Sequence, residues 1–400
     1  MHPPRSALQP LAYQRELKEY LKTHERELWD WFSSSQARLN YTETLRLDLL
    51  KATYRLDTET HAELYRVAEE AKAALELSIP LTIYQSQHLG ANATLYYIPN
   101  EGHIVFSGPL LSLLTAQELK TVIAHELSHY VLWQEEAGEY LITDRLLQTI
   151  AHDGACAESH VESARLFQLY TEIYADRGAF CVTRDLDAVV SSLVKIETGL
   201  QQVSATSYLK QADEIFRHAR VSTDELSHPE AFMRARALAL HAQERPDADE
   251  EIVAMIEGDH GIEHLDLLGQ VRLTAKTRDL LAHFLVPKWF QTDAVLGHAR
   301  MFFPDFKPAS ARSNGFEPES FKTKDRKLRE YYCYLLLDFV VADSELNEMP
   351  LAAALELTKR LEIDEEFERL VSKELKVKGR ELARIKAQAA NMLAAAEVAS

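Results

Sequence analysis

Thr115-Ala-Gln-Glu118-Leu-Lys-Thr-Val-Ile-Ala-His125-Glu126-Leu-Ser-His129 is the stretch on which the reading of this chain turns. Thr115 and Glu118 have the spacing of a capping box, so a helix is expected to open directly after Thr115. Val122, Ile123, Leu127 and Val131 supply its buried stripe. His125 and His129 stand four residues apart beside that stripe, so both rings can reach one metal ion. Glu126 lies one position along, where its carboxylate can address a water on that metal. The plain alternative is a solvated helix face carrying two unrelated histidines. The cap and the apolar stripe weigh against it.

A catalytic zinc takes three protein ligands and keeps one position open. This helix offers two, and a separate helix must offer the third. Glu172, in Tyr170-Thr-Glu-Ile-Tyr-Ala-Asp176, is the best candidate. Asp176 follows one turn later on the same face. A carboxylate there can accept a hydrogen bond from a ligand histidine, fixing its tautomer and strengthening it as a ligand. His125 is the expected partner, although the sequence alone does not choose between the two histidines. Without the motif, both acids would read as ordinary surface residues.

The chain has 400 residues, 46% of them hydrophobic, with 13 Gly and 13 Pro. That length predicts more than one domain, and the sparse breakers predict a mostly helical globular protein. The formal charge of −18 argues against nucleic acid and against anionic membrane surfaces. It also disfavours strongly acidic substrates. Three cysteines, Cys156, Cys181 and Cys333, form no CxxC pair, so a reducing cytoplasm is the expected setting. The first residues carry no apolar leader region, and the apolar run near Tyr331–Ala342 is too short to span a bilayer.

Along the chain, Leu8 to Leu77 reads as helical, with a late helix expected from Asp57-Thr58. After Pro80, the segments Leu81–Tyr84, Thr94–Ile98 and His103–Phe106 are short and rich in β-branched and aromatic residues. They predict a small sheet, with Pro99-Asn-Glu-Gly102 as a hairpin turn. A long helix is expected after Gly154, through Ile173 to Phe180, and further helices fill Asp185 to His241. Arg245–Glu250 reads as a boundary and Pro304–Thr323 as a linker, with helix throughout Lys324–Ser400. The expected fold is mainly α with a small β-sheet. Its expected parts are an N-terminal helical region (1–78), a catalytic domain (79–245), a helical connecting region with a linker (246–323) and a C-terminal helical domain (324–400).

Four ordered motifs carry a family resemblance. The segment Gly108–His129 resembles the HtpX / CAAX prenyl protease family of gluzincin zinc metallopeptidases, which includes Ste24p-like and Oma-like members. Asn92-Ala93 resembles that family's edge-strand signature, with Thr94 in place of the aromatic. Glu172-Ile-Tyr-Ala-Asp176 matches its third-ligand motif, and Ser227-His228-Pro229 with Arg234 resembles its His-Pro segment. The resemblance covers roughly Ile79 to Leu240. It implies a gluzincin-type peptidase domain flanked by helical regions, and one catalytic zinc on His125, His129 and Glu172. It also implies that His228 and Arg234 lie near the metal. His228 is then a reversible fourth ligand or a transition-state donor; otherwise Pro229 simply opens a helix. Many members of the family carry membrane helices, and this chain shows none.

The expected activity is a soluble zinc endopeptidase. Zinc would activate the water, Glu126 would take its proton, and His228 or Arg234 would stabilise the oxyanion. An extended or unfolded protein segment would pair with the strand edge at Thr94–Ile98 or His103–Phe106. The alternatives are a latent, zinc-bearing interaction protein whose flanking helices block the cleft, or a hydrolase of a non-peptide bond. Near the C-terminus, the stretch Tyr334–Glu348 resembles the helical tellurite-resistance (TerB-like) domain. Asp343, Glu345 and Glu348 there are either oxygen ligands for a cation or a helix cap. An interaction module with a protein partner is the plainer expectation for that domain.

Overall fold

The computed structural model describes residues 8–152, 156–218, 231–257, 262–309 and 316–399. Within them the chain is mainly helical with one small sheet, as the patterning implied. It divides into two compact units, Met1–Gly258 with Asp266–Leu268, and Asp259–Leu265 with Gly269–Ser400. The stretch Arg245–Glu250, read as a boundary, runs into a helix at Ala248–Glu257. Ile252 and Ile256 of that helix are buried in the core of the first unit.

The first unit opens with α1 (Ala12–His24), α2 (Arg26–Ser33) and α3 (Ser35–Ala52). A short strand, β1 (Thr53–Arg55), follows where the sequence predicted helix. Its three residues are good strand formers, but they are too few to display a period. The next helix, α4 (Ala62–Ala74), starts later than expected. Asp57 instead closes a turn, accepting hydrogen bonds from the N–H groups of Glu59 and Thr60 at 2.8 and 2.9 Å.

Three more strands complete the sheet: β2 (Leu81–Ser86), β3 (Asn92–Ile98) and β4 (Glu101–Ser107), in the order β1-β2-β4-β3. β3 and β4 form the expected hairpin, with Ile98 opposite Glu101 across Pro99 and Asn100. Asn100 takes the positive φ of 65° that the tight turn requires. β2 runs parallel to β4, so residues 87–91 must cross the end of β4 to start β3 on the far side. Gly108 permits that crossing. Its φ is +58°, and a Cβ there would come within 2.6 Å of the Leu89 carbonyl oxygen. β4 is therefore paired on both sides, and β3 is the edge. His103–Phe106 offers no free edge, contrary to the expectation for that strand.

The chain continues through α5 (Leu110–Leu113), α6 (Ala116–Gln134), α7 (Glu139–Ala151), α8 (Glu158–Thr183) and α9 (Leu186–Thr198). It then forms α10 (Ala205–His218), α11 (Ala231–Ala242) and α12 (Ala248–Glu257). The capping box on α6 is present: Thr115 Oγ1 accepts from the Glu118 N–H, and Glu118 Oε2 accepts from the Thr115 N–H. Lys195 of α9 donates to the same carboxylate at 2.8 Å, both side chains being buried. That pair pins α9 to the start of α6. The predicted stripe Val122, Ile123, Leu127 and Val131 is buried, and so are Ala124, Ser128, Tyr130 and Leu132. Only a central helix is wrapped to that extent, with β3 on one side and α8 on another. α1 belongs to the same core: Tyr13, Leu17 and Leu21 are buried, and Gln14 Nε2 donates to Thr171 Oγ1 on α8.

In the second unit, most of α13 (Leu267–Phe284) is followed by α14 (Asp293–Phe302), α15 (Arg326–Val340), α16 (Met349–Arg360), α17 (Asp364–Glu374) and α18 (Gly379–Ala399). These helices enclose their own core around Phe290, Tyr332, Leu336, Phe339 and Phe367. Asp343 caps the turn at Ser344–Leu346, accepting from the Glu345 N–H, and it also accepts from Thr292 Oγ1 at 2.7 Å. Glu348 is paired with Arg384 at 2.5 Å. Those acids have structural partners, and among the described residues they do not converge as metal ligands.

α6 and α8 cross at a glycine. A Cβ on Gly178 would lie 2.6 Å from the Cβ of Ser128, closer than real side chains approach. Gly178→Ala should push the two helices apart and cost about 1–3 kcal/mol of stability. Chemical denaturation of the two proteins checks this, and an unchanged midpoint would contradict the close crossing.

Candidate metal centre and active-site cleft

The α6–α8 crossing brings the predicted ligands together. His125 Nε2 and His129 Nε2 are 3.2 Å apart. Glu172 Oε2 is 3.4 Å from His125 Nε2, and Glu172 Oε1 is 3.6 Å from His129 Nε2. Zinc ligands at ~2.0–2.1 Å in a tetrahedron are separated by about 3.3–3.4 Å. Two nitrogens and a carboxylate therefore form one face of a zinc-sized tetrahedron. Among the described residues one other acidic group has similar convergence, Glu19, Glu136 and Glu139. Lys18 is ion-paired to all three, so that cluster already has its cation.

Asp176, one turn after Glu172, meets His125 as expected: its Oδ1 is 3.0 Å from Nδ1. A proton on Nδ1 leaves the Nε2 lone pair for a metal. Arg234, on the first turn of α11, locks the two carboxylates. Its Nε and Nη2 donate to the two oxygens of Asp176 at 2.8 and 2.7 Å, and its Nη1 lies 3.0 Å from Glu172 Oε2. Both ends of the guanidinium are engaged by carboxylates, so its geometry is that of a clamp rather than a free oxyanion donor. His228 lies outside the described residues.

Electrostatics follow from burial and these pairs. Burial works against a charged His125, but hydrogen bonds with Asp176 and Glu172, and their charges, outweigh it and raise its pKa to about 10. Burial lowers His129 to about 4, which leaves it neutral with a free lone pair. Burial would raise Glu172, yet Arg234, His125 and His129 together hold it well below the usual carboxylate range. Asp176 is lowered in the same way, with burial opposed by Arg234 and His125. A proton on His125 thus occupies the position a metal would take, and metal binding must release it. Glu126 differs. Burial raises it to about 7, with charged His125 and the Leu95 N–H opposing the shift. A carboxylate poised near neutrality suits proton transfer at ordinary pH.

These residues open into a cleft of about 660 Å³. Edge strand β3 forms one wall through Asn92, Ala93, Thr94 and Leu95. α9 contributes Val189, Ser192, Leu193 and Ile196, and α7 contributes Asp144 and Gln148. The α7 residues and Trp133 were not singled out in the sequence. The only signal for α7 was a polar i, i+4 pair, which any solvent-facing helix also carries.

Residues 55–242 match the model of peptidase family M48. This segment is a peptidase family M48 domain. The chain is also 29% identical, over 196 residues, to the plastoglobule-localized metallopeptidase 48, chloroplastic, of Arabidopsis thaliana. That alignment covers 44% of this chain and 56% of the relative, so the chain spans little more than half the length of the curated relative it matches. No solved structure matches the chain. The metallopeptidase resemblance read from the four motifs thus stands at the level of the M48 family. Among the described residues, no helix is long and apolar enough to cross a membrane.

Arg234 supplies the positive charge that allows two carboxylates to sit one turn apart in a buried site. Arg234→Met should destabilise the metal-free protein by about 3–5 kcal/mol, because it leaves buried charge uncompensated. Saturating zinc should recover part of that loss by replacing the missing cation. Denaturation with and without zinc measures both quantities.

Proposed function

We propose that the first unit is a zinc-dependent endopeptidase acting on extended or unfolded protein segments. The observation that carries this reading is the convergence of His125, His129 and Glu172 beside an edge strand, with buried Glu126 next to them. The donor set of two imidazoles and one carboxylate is that of a catalytic zinc site with an open position. When bound, zinc would polarise the substrate carbonyl and make a water acidic enough to attack near neutral pH.

The chain's own residues have separable tasks. Glu126 takes the proton from the attacking water on its carboxylate and returns it to the leaving amine. Asp176 holds His125 in the Nδ1–H tautomer. Arg234 acts as a positioning residue, fixing Glu172 and Asp176. Strand β3 provides the free edge on which a substrate backbone can pair, which needs an extended chain and asks little of its sequence. The oxyanion donor is then His228 or a backbone N–H of the edge strand. A reducing compartment such as the cytoplasm fits the free cysteines Cys156, Cys181 and Cys333. The described residues that line the cleft all lie between Asn92 and Arg234, so the latent alternative draws no support from its walls.

Glu126→Gln should retain zinc and lose about 10²–10⁴-fold in cleavage of casein. Glu172→Ala should fail to hold zinc. Metal analysis alongside fragment mass spectrometry reads both outcomes. Undiminished cleavage by Glu126→Gln would remove Glu126 from the mechanism, and full zinc occupancy in Glu172→Ala would remove Glu172 from the ligand set.

A further inference from the structure

The two sides of the cleft differ chemically. His125 lies against Asp176 and His129 against Glu172, so α6 and α8 run antiparallel past each other. One turn beyond His129 is Trp133, whose ring stacks on that histidine with centroids 5.5 Å apart. One turn before Glu172 is Gln168. Both line the cleft, and α7 adds Asp144 and Gln148. On the other side, α9 presents Val189 and Leu193. The α7 side is polar and carries the half-buried acid Asp144, and the α9 side is apolar at Val189, Leu193 and Ile196 with the exposed acid Glu197 at its end.

We propose that Asp144 is the anionic group of a specificity subsite for a cation on the substrate, a Lys or Arg side chain close to the scissile bond. The inference rests on the peptidase reading above and adds a substrate class to it. Asp144 is half-buried in the cleft wall. Among the described residues no hydrogen-bond donor or ion-pair partner meets its carboxylate, which sets it apart from Glu172 and Asp176, both clamped by Arg234. Its polar neighbours in the cleft, Gln148 and Gln168, are neutral. A half-buried carboxylate with no hydrogen-bond donor is a cost to the folded protein that the charge of Arg145 offsets only in part, and an entering ammonium or guanidinium offsets it further. Burial raises its pKa to about 6 against the opposing positive charge of neighbouring Arg145, so the group is ionised at neutral pH but only partly compensated. The indole of Trp133 gives the aliphatic stem of a Lys or Arg a surface to lie on. The chain's net charge of −18 favours encounter with cationic segments.

The test uses the full-length protein with zinc and a peptide library of matched sequences carrying Lys, Arg, Gln or Glu at each position around the scissile bond. The wild type should cleave peptides with Lys or Arg at one subsite about 10–100-fold faster, by kcat/KM, than those with Gln there. Asp144→Asn should remove that preference and change cleavage of the Gln peptides less than about threefold. It deletes a charge that makes no hydrogen bond, at constant shape, and its thermal midpoint reports whether the fold is intact. Asp144→Lys should turn the preference toward Glu. A library cleaved without basic preference, or a basic preference that survives Asp144→Asn, overturns the proposal.

A free peptide N-terminus is the other source of a cation, so each peptide is also made N-acetylated. A preference that vanishes on acetylation overturns the side-chain assignment. If the wild type cleaves nothing, the peptidase reading has failed, and binding then decides the subsite on its own. The same peptides are titrated into full-length Glu126→Gln and Glu126→Gln/Asp144→Asn. Tighter binding of the Lys and Arg peptides, lost with Asp144, upholds the subsite, and equal binding of all peptides overturns it.

Discussion

The Asp176 carboxylate is the junction on which the site depends. It accepts from His125 on α6 and from two nitrogens of Arg234 on α11, while it is itself carried by α8. Three helices therefore meet at one buried anion. Such a junction is expensive to assemble, because each charge must leave water. It persists because every charge has a partner: two carboxylates face one guanidinium and one imidazole. The geometry also sets the direction of each group. Arg234 holds the Oε2 of Glu172, which also faces His125, and leaves Oε1 facing His129.

The helix crossing at Gly178 and Ser128 makes this junction reachable. The close contact of α6 and α8 at this crossing fixes how near the ligand side chains of the two helices come to one another. α6 achieves this with small residues, Ala124 and Ser128, and α8 with Gly178. The Ser128 hydroxyl is satisfied within its own helix by the Ala124 carbonyl at 2.7 Å, so the contact face carries no unpaired polar group. On the far side of α6, β3 closes the arrangement and leaves its outer edge facing the cleft.

Much of this was legible because the chemistry is local in sequence. A capping box, a buried stripe and two histidines one turn apart all lie within one helix, and Glu172 and Asp176 repeat that economy on another. The small sheet and its hairpin were legible, but the strand order was not. His103–Phe106 looked as available as Thr94–Ile98, because strand order depends on which segments pair across space. A three-residue strand such as β1 has no period to detect. Arg234 could be expected near the metal, but its engagement with two carboxylates is a tertiary fact. Asp144 was invisible for a different reason: a lone acid on an amphipathic helix is ordinary until a cavity is found in front of it.

The contrast between the acids of the cleft gives the site its logic. Glu172 and Asp176 are held ionised by the cations beside them, which suits the structural and metal-holding roles proposed for them. Glu126 is held near neutrality by burial, so it can exchange a proton. His125 and His129 are pushed in opposite directions, one retaining a proton between two carboxylates and the other losing it to burial. A dication held by His125, His129 and Glu172 would require release of that single proton. With His125 protonated the two carboxylates are balanced by two cations, and loss of that proton would leave the shell one positive charge short, a deficit that a metal ion would fill.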